Sequence, residues 1–143
     1  MGLYIAQTDI ESEWGTANVV QWSNLDGSTD SADATRVTAA INFAEGYVEG
    51  RFRGSRYQVP LSFGDDRSEA VVKRIMATLA GEWLASHRAA VVGEMDEAAM
   101  EDLNQLRARK QWAERTLSDI LAGILVVDMT LAEDDTEAPF LVN

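Results

Sequence analysis

The stretch DATRVTAAINFAEGYVEGRF, residues 33–52, decides the fold. At about 100° per residue, Val37, Ile41, Ala44, Val48 and Phe52 fall within about 40° of one line, the apolar stripe of a core-facing helix. Asp33, or Ser31 just before it, carries a side-chain oxygen that can accept from the unpaired N–H groups of a first turn. The opposite side is unusual: Ala39, Phe43, Gly46 and Gly50 cluster about 180° from the stripe, and Gly54 continues the four-residue spacing. Each interior glycine costs about 0.8–1 kcal/mol relative to alanine. Keeping two of them on one face predicts that another helix, or another copy of the protein, approaches that backbone closely. The competing reading is that they only loosen the helix before the turn Arg53-Gly54-Ser55-Arg56.

On the N-terminal side, Thr8 and Glu11 have capping-box spacing, Ile10 and Trp14 form an apolar side, and Gly15 is a stop signal. A short helix is expected there, followed by a second with Thr16 as cap and Val19, Val20 and Trp22 buried. Residues 24–33, NLDGSTDSAD, are turn formers and read as a loop. On the C-terminal side, Tyr57 to Gly64 reads as extended, because Pro60 biases Val59 away from helix. Asp65, Asp66 or Ser68 then caps a helix to about Ser86, whose stripe of Val72, Ile75, Met76, Leu79, Ala80 and Trp83 suits a central position. A last helix runs from about Asp96 to Ala122, with Leu103, Leu106, Ala113, Leu117, Ile120, Leu121 and Ile124 inward and Gly123 at its end. The expected fold is all-α: a small bundle of three long helices plus one or two short N-terminal ones, spanning residues 1–124. Residues 125–143 form an extended acidic and apolar tail. Leu125 to Val127 could make a short strand, and a tail of this composition is expected to be held by contacts with neighbouring chains.

Length and charge bound the function. The 143 residues, 46% of them hydrophobic, suit one domain with an ordinary core. No apolar run reaches the roughly 18–20 residues of a membrane span, and no secretory signal is apparent at Met1 to Ile5. The formal net charge of −12 sits at the two ends, since residues 36–115 hold all twelve bases and twelve acids. A protein that grips nucleic acid usually carries a basic face, so this distribution argues against DNA gripping. With no cysteine, thiolate metal sites and cysteine nucleophiles are excluded.

The lone His87 lacks the partner and nucleophile that a catalytic base needs and reads as structural. Asp26, Asp30 and Asp33 lack calcium-loop spacing and read as turn and cap residues. No catalytic, cofactor or metal residues are expected. Arg51, Arg53 and Arg56 form the one concentrated basic cluster, interleaved with Phe52 and Tyr57. Such a cluster could meet a single strand or an acidic protein patch. The acidic ends of a neighbouring copy are a natural counterpart, in a head-to-tail contact of the kind that closes into rings. The expected contact residues are therefore Phe43, Gly46, Gly50, Arg51, Arg53 and Arg56, with Met129, Leu131, Phe140, Leu141 and Val142 of the tail.

Four segments together resemble the Mu-like phage head–tail connector proteins. They are Tyr4 to Trp14-Gly15; Ala44 to Phe52 followed by Arg56-Tyr57-Gln58-Val59-Pro60-Leu61; the helix Ser68 to Ser86; and Trp112 to Gly123 with its Leu-x-x-Ile-x-x-Gly ending. The chain departs from the pattern in carrying about four extra residues, Arg53 to Arg56, and an acidic tail past Gly123. The resemblance implies a non-enzymatic virion protein without cofactor, made in the host cytoplasm. It implies a ring, typically of about twelve copies, beneath the portal protein. There it would join the DNA-filled head to a tail-side connector or tail terminator, and DNA would pass through without being specifically bound. The alternative is a small acidic helical adaptor or regulatory domain that binds one protein partner.

Overall fold

Asp33 ends the loop and starts the helix that the sequence reading turns on. Its carboxylate accepts from the N–H groups of Thr35 and Arg36 at 3.0 and 3.2 Å. The computed structural model describes residues 2–27, 30–92 and 97–132, the backbone alone at 91, 92 and 97–102. The helices are α1 Gln7–Trp14, α2 Thr16–Ser23, α3 Ala34–Phe52, α4 Asp66–Val92 and α5 Glu97–Ala122. Among the described residues no strand forms. Two isolated antiparallel bridges, Tyr57 with Leu131 and Phe63 with Met129, are the β pairing there. The fold is the all-α bundle expected.

The central helix is α4, packed against α1, α2, α3 and α5. Ile75 through Ala80 are buried without a break, as neighbours on every side require. The predicted stripe of α3 is buried in full, and α5 contributes Leu106, Ala113, Leu117 and Ile120. The two short helices bury Ile10 and Val19 in the core, and α1 approaches α4 closely: a Cβ at Gly81 would collide with the Trp14 indole. The Nε1–H of Trp14 donates to the Ala77 carbonyl at 3.2 Å. Gly15, at φ 93°, makes the sharp turn between α1 and α2 in a region that other residues seldom adopt.

The ends of the elements differ from expectation for local reasons. Helix α1 is capped by Asp9 rather than by a Thr8–Glu11 box, since the Asp9 carboxylate accepts from the Ala6 N–H at 2.8 Å. Thr16 lies inside α2, whose cap is Gly15. Asp65 caps α4 by accepting from the Ser68 N–H at 2.7 Å, which holds its carboxyl below the usual range. The helix passes Ser86 and continues to Val92, since Ala89 and Ala90 supply no break. Gly123, at φ 78°, ends α5 and turns the chain so that Ile124 faces solvent, not the core.

The tail is the main correction. Residues 125–127 form no strand; pairing begins beyond them, where 128–132 lies along 56–64. Gln58 N–H donates to the Thr130 carbonyl at 2.9 Å, Thr130 N–H to Ser62 at 2.8 Å and Ala132 N–H to Arg56 at 2.8 Å. Val127 and Met129 enter the subunit's own core, Met129 at 5% exposure. Of the tail expected to rest on neighbours, Val127 and Met129 are thus held by their own subunit, since an extended partner lies beside them to bury one face, while Leu131 stays exposed. Residues 133–143 lie outside the described residues.

Candidate functional site

The N-terminal segment determines what the outer side of α3 displays. Glu45 and Glu49 follow Val37 and Ile41 at four-residue spacing, so both carboxylates flank the buried stripe. Glu45 is buried and accepts from the N–H groups of Leu3, Tyr4 and Ile5 at 2.9, 2.6 and 2.9 Å. The Tyr4 hydroxyl donates to Glu49 at 2.7 Å and accepts from the Leu61 N–H at 2.8 Å. Burial, then the hydrogen bond to Glu49, pushes the Tyr4 phenol up to about 12. Both acids of α3 are thus engaged by the N-terminal segment, which also ties α3 to the extended segment after it.

The side left facing solvent is aromatic and cationic. Phe43 is 43% exposed. Its ring stacks on Tyr47 one turn along and on Trp83 of α4, with centroids 6.2 Å away in both cases. His87 meets Trp83 edge-on at 4.7 Å, and the Arg36 guanidinium lies 5.6 Å from the Trp83 ring. At the other end Arg51 donates to the Tyr47 hydroxyl at 3.3 Å and to Ser118 Oγ of α5 at 3.1 Å. Positions where Gly46 and Gly50 would carry a Cβ have no atom within 4 Å. Among the described residues nothing packs on these glycines, so the helix that the sequence reading invoked is none of the described ones.

The expected contact residues therefore divide. Phe43, Gly46, Gly50 and Arg51 share this face. Arg53 is exposed just past the helix end. Arg56 lies beyond it, donating to the Tyr57 hydroxyl at 2.9 Å with its guanidinium 5.0 Å from that ring. Leu131 is 59% exposed, whereas Met129 is buried and unavailable to a neighbour. Phe140, Leu141 and Val142 lie outside the described residues. Sequence reasoning missed Trp83 and Arg36 as parts of the face, because their neighbours come from a second helix. The buried acid at Glu45 had a signal: a carboxylate bordering an apolar stripe needs donors, and the backbone of residues 3–5 supplies them.

A second exposed group joins α1, α4 and α5. Glu13 pairs with Arg74 at 3.2 Å, and the Arg74 and Arg109 guanidinia lie 4.7 and 4.4 Å from the rings of Trp112 and Trp14. Beside it runs an open groove of about 350 Å³ lined by Trp14, Trp22, Leu106 and Arg109. Among the described residues, no three His, Asp or Glu side chains gather as metal ligands would, and no helix is long and apolar enough to cross a membrane.

Neither curated proteins nor solved structures include a match to this chain. The model of a phage family, described as Bacteriophage Mu, Gp36, matches residues 4–140, from the tyrosine bonded to Glu49 through to the tail. A match over nearly the whole length makes this chain a member of the Bacteriophage Mu Gp36 family.

Proposed function

We propose that this protein is a structural head–tail connector of a tailed phage. In this reading its copies form a ring beneath the portal protein, with a tail-side connector or tail terminator on the opposite side, and DNA passes through without being gripped. The observation that carries the reading is the presence of two dissimilar exposed surfaces on a bundle of a phage family. One is the aromatic and arginine face of α3. The other is the apolar run past Gly123, where Ile124 is 75% and Val126 80% exposed, with Leu131 exposed further along the chain. A head-to-tail contact pairs two different patches, and rotation closes it into a ring. The net charge of −12 also suits a wall that repels phosphate.

Sedimentation and electron microscopy of the purified chain, alone and with the portal protein, test this. Rings, alone or on the portal, are expected. A small particle that neither self-associates nor binds the portal would overturn the reading. The groove between α1, α2 and α5 favours the second reading, a small adaptor that binds one partner peptide, which would remain a monomer or dimer.

A further inference from the structure

The surface where α1, α2 and α5 meet is concave and cationic in a strongly acidic protein. Its floor is fixed from below: Trp14 lies over Gly81 of α4, donates its Nε1–H to the Ala77 carbonyl and meets Trp22 edge-on at 5.6 Å. The groove holds about 350 Å³, the size of clefts that take small ligands. The ion pairs around it are lopsided. The side chains of Arg74 and Arg109 are 58% and 45% exposed, while their shared partner Glu13 is 15% exposed. Lys110, one turn past Leu106, is 40% exposed and its partner Glu82 only 11%. The carboxylates are withdrawn and the cations face solvent, both guanidinia steadied over the rings of Trp112 and Trp14. What fits is an apolar anchor with carboxylates beside it.

The chain displays such an anchor just past α5. Ile124 and Val126 are exposed, Asp119 precedes them and the exposed Asp128 follows. Neither acid forms an ion pair among the described residues. Arg56, whose guanidinium lies beside Gly123, is held on the Tyr57 hydroxyl and ring. The run is pinned on both sides: the Ile124 and Leu125 N–H groups donate to the Asp119 carbonyl, and residues 128–132 pair with 56–64. A protrusion already fixed in place loses little freedom on docking. It cannot enter its own groove, because α5 rises about 20 Å from Arg109 to Ala122 at 1.5 Å per residue. The face of α3 is a poorer receiver. Phe43 already has Tyr47 and Trp83 stacked on it, Arg36 turns buried nitrogens inward, and Arg51 is engaged by Tyr47 and Ser118.

We propose that residues 124–126 of one copy dock in the groove between α1, α2 and α5 of a second copy. Ile124 and Val126 rest against Trp14 and Trp22, and Asp128 faces Arg109. This rests on the connector reading and deepens it, by naming the two surfaces that meet between neighbours: the groove that would serve an adaptor's peptide is filled by the next copy. Since run and groove are different patches of one subunit, each docked copy still offers its own run, and the contact repeats until it closes.

Because the chain has no cysteine, full-length chains with one cysteine each report the contact directly. Gln105→Cys lies on the rim of the groove and Val126→Cys on the run, both at exposed positions. Mixed and mildly oxidised, alone and with the portal protein, the two chains are expected to give a covalent dimer containing one of each. Gly46→Cys mixed with Val126→Cys is the control and should react only at the background rate. Arg109→Glu on the groove chain should slow the cross-link roughly two- to five-fold at low salt. Asp128→Lys on the run chain should restore it, and high salt should erase the difference. If a charge variant loses its helical circular dichroism, the cysteine pairs decide alone. No cross-link at Gln105 with or without the portal protein would overturn the proposal, as would equal or faster reaction at Gly46, or folded charge variants that leave the rate unchanged. Unmodified protein scored in parallel for rings separates the two readings. Rings without this cross-link remove the inference and leave the connector, and cross-linked copies that neither close nor bind the portal protein do the reverse.

Discussion

Glu45 is an acid where the periodicity of α3 runs into its buried side, and it stays there because three backbone N–H groups converge on it. Replacing it with alanine leaves those donors facing the core, so Glu45→Ala should cost about 3 kcal/mol in urea unfolding. Tyr4 makes a second, titratable tie. Its phenol is raised from 10.0 to about 12, so the protonated form is the one that the fold favours. That contribution is fully present below pH 10 and is lost as pH rises through about 12. Alkaline unfolding followed by circular dichroism should begin within that window, and Tyr4→Phe should remove this component while lowering stability at neutral pH. Little of this was legible beforehand. The bordering acid was visible, but its donors are some forty residues away in sequence.

Among the helices, glycines of one residue type carry opposite meanings. Gly46 of α3 faces open space, so Gly46→Ala should raise stability by about 0.8–1 kcal/mol through helix propensity alone. Gly81 of α4 lies beneath the Trp14 indole, and Gly81→Ala should destabilise by about 1–3 kcal/mol despite the same propensity gain. Thermal unfolding of the two variants measures the contrast directly. Periodicity drew attention to Gly46 and Gly50 but not to Gly81, since a stripe describes one helix and a close approach belongs to two. It also identified every helix and the buried stripe of α3 in full, because burial of an amphipathic face follows the 3.6-residue repeat.

For the molecule as a whole, the folded unit extends past residue 125 and includes the segment 127–132 that lies along 56–64. Residues 127–132 contribute Val127 and Met129 to the core and hydrogen bonds to 56–64. Ending the chain at Val126 removes both side chains, a loss of about 3–6 kcal/mol at 1.5–3 kcal/mol each. Against a typical stability of about 5–15 kcal/mol, that truncation should largely unfold the protein. Ending it at Ala132, which keeps Val127 and Met129, should preserve the helical circular dichroism and the cooperative melt. Comparing the two truncations by melting and sedimentation tests the boundary.

What the sequence determined by itself is the set of helices, the all-α class, the buried stripe of α3 and the concentration of negative charge at the chain ends, all properties of local spacing and composition. Its resemblance to a Mu-like phage family also agrees with the family match. Only the tertiary structure decided which charges remain available. The N-terminal segment engages Glu45 and Glu49, Arg36 tucks its guanidinium beside Trp83 while Arg51 turns to Tyr47 and to Ser118 of α5, and α4 lends Trp83 to an aromatic row that no single helix could build. It also decided that Met129 belongs to the core while Leu131, two residues on, remains outside. The reason is physical: a periodic pattern shows which side of an element is apolar, but which distant backbone donors or rings meet that side depends on how the elements pack.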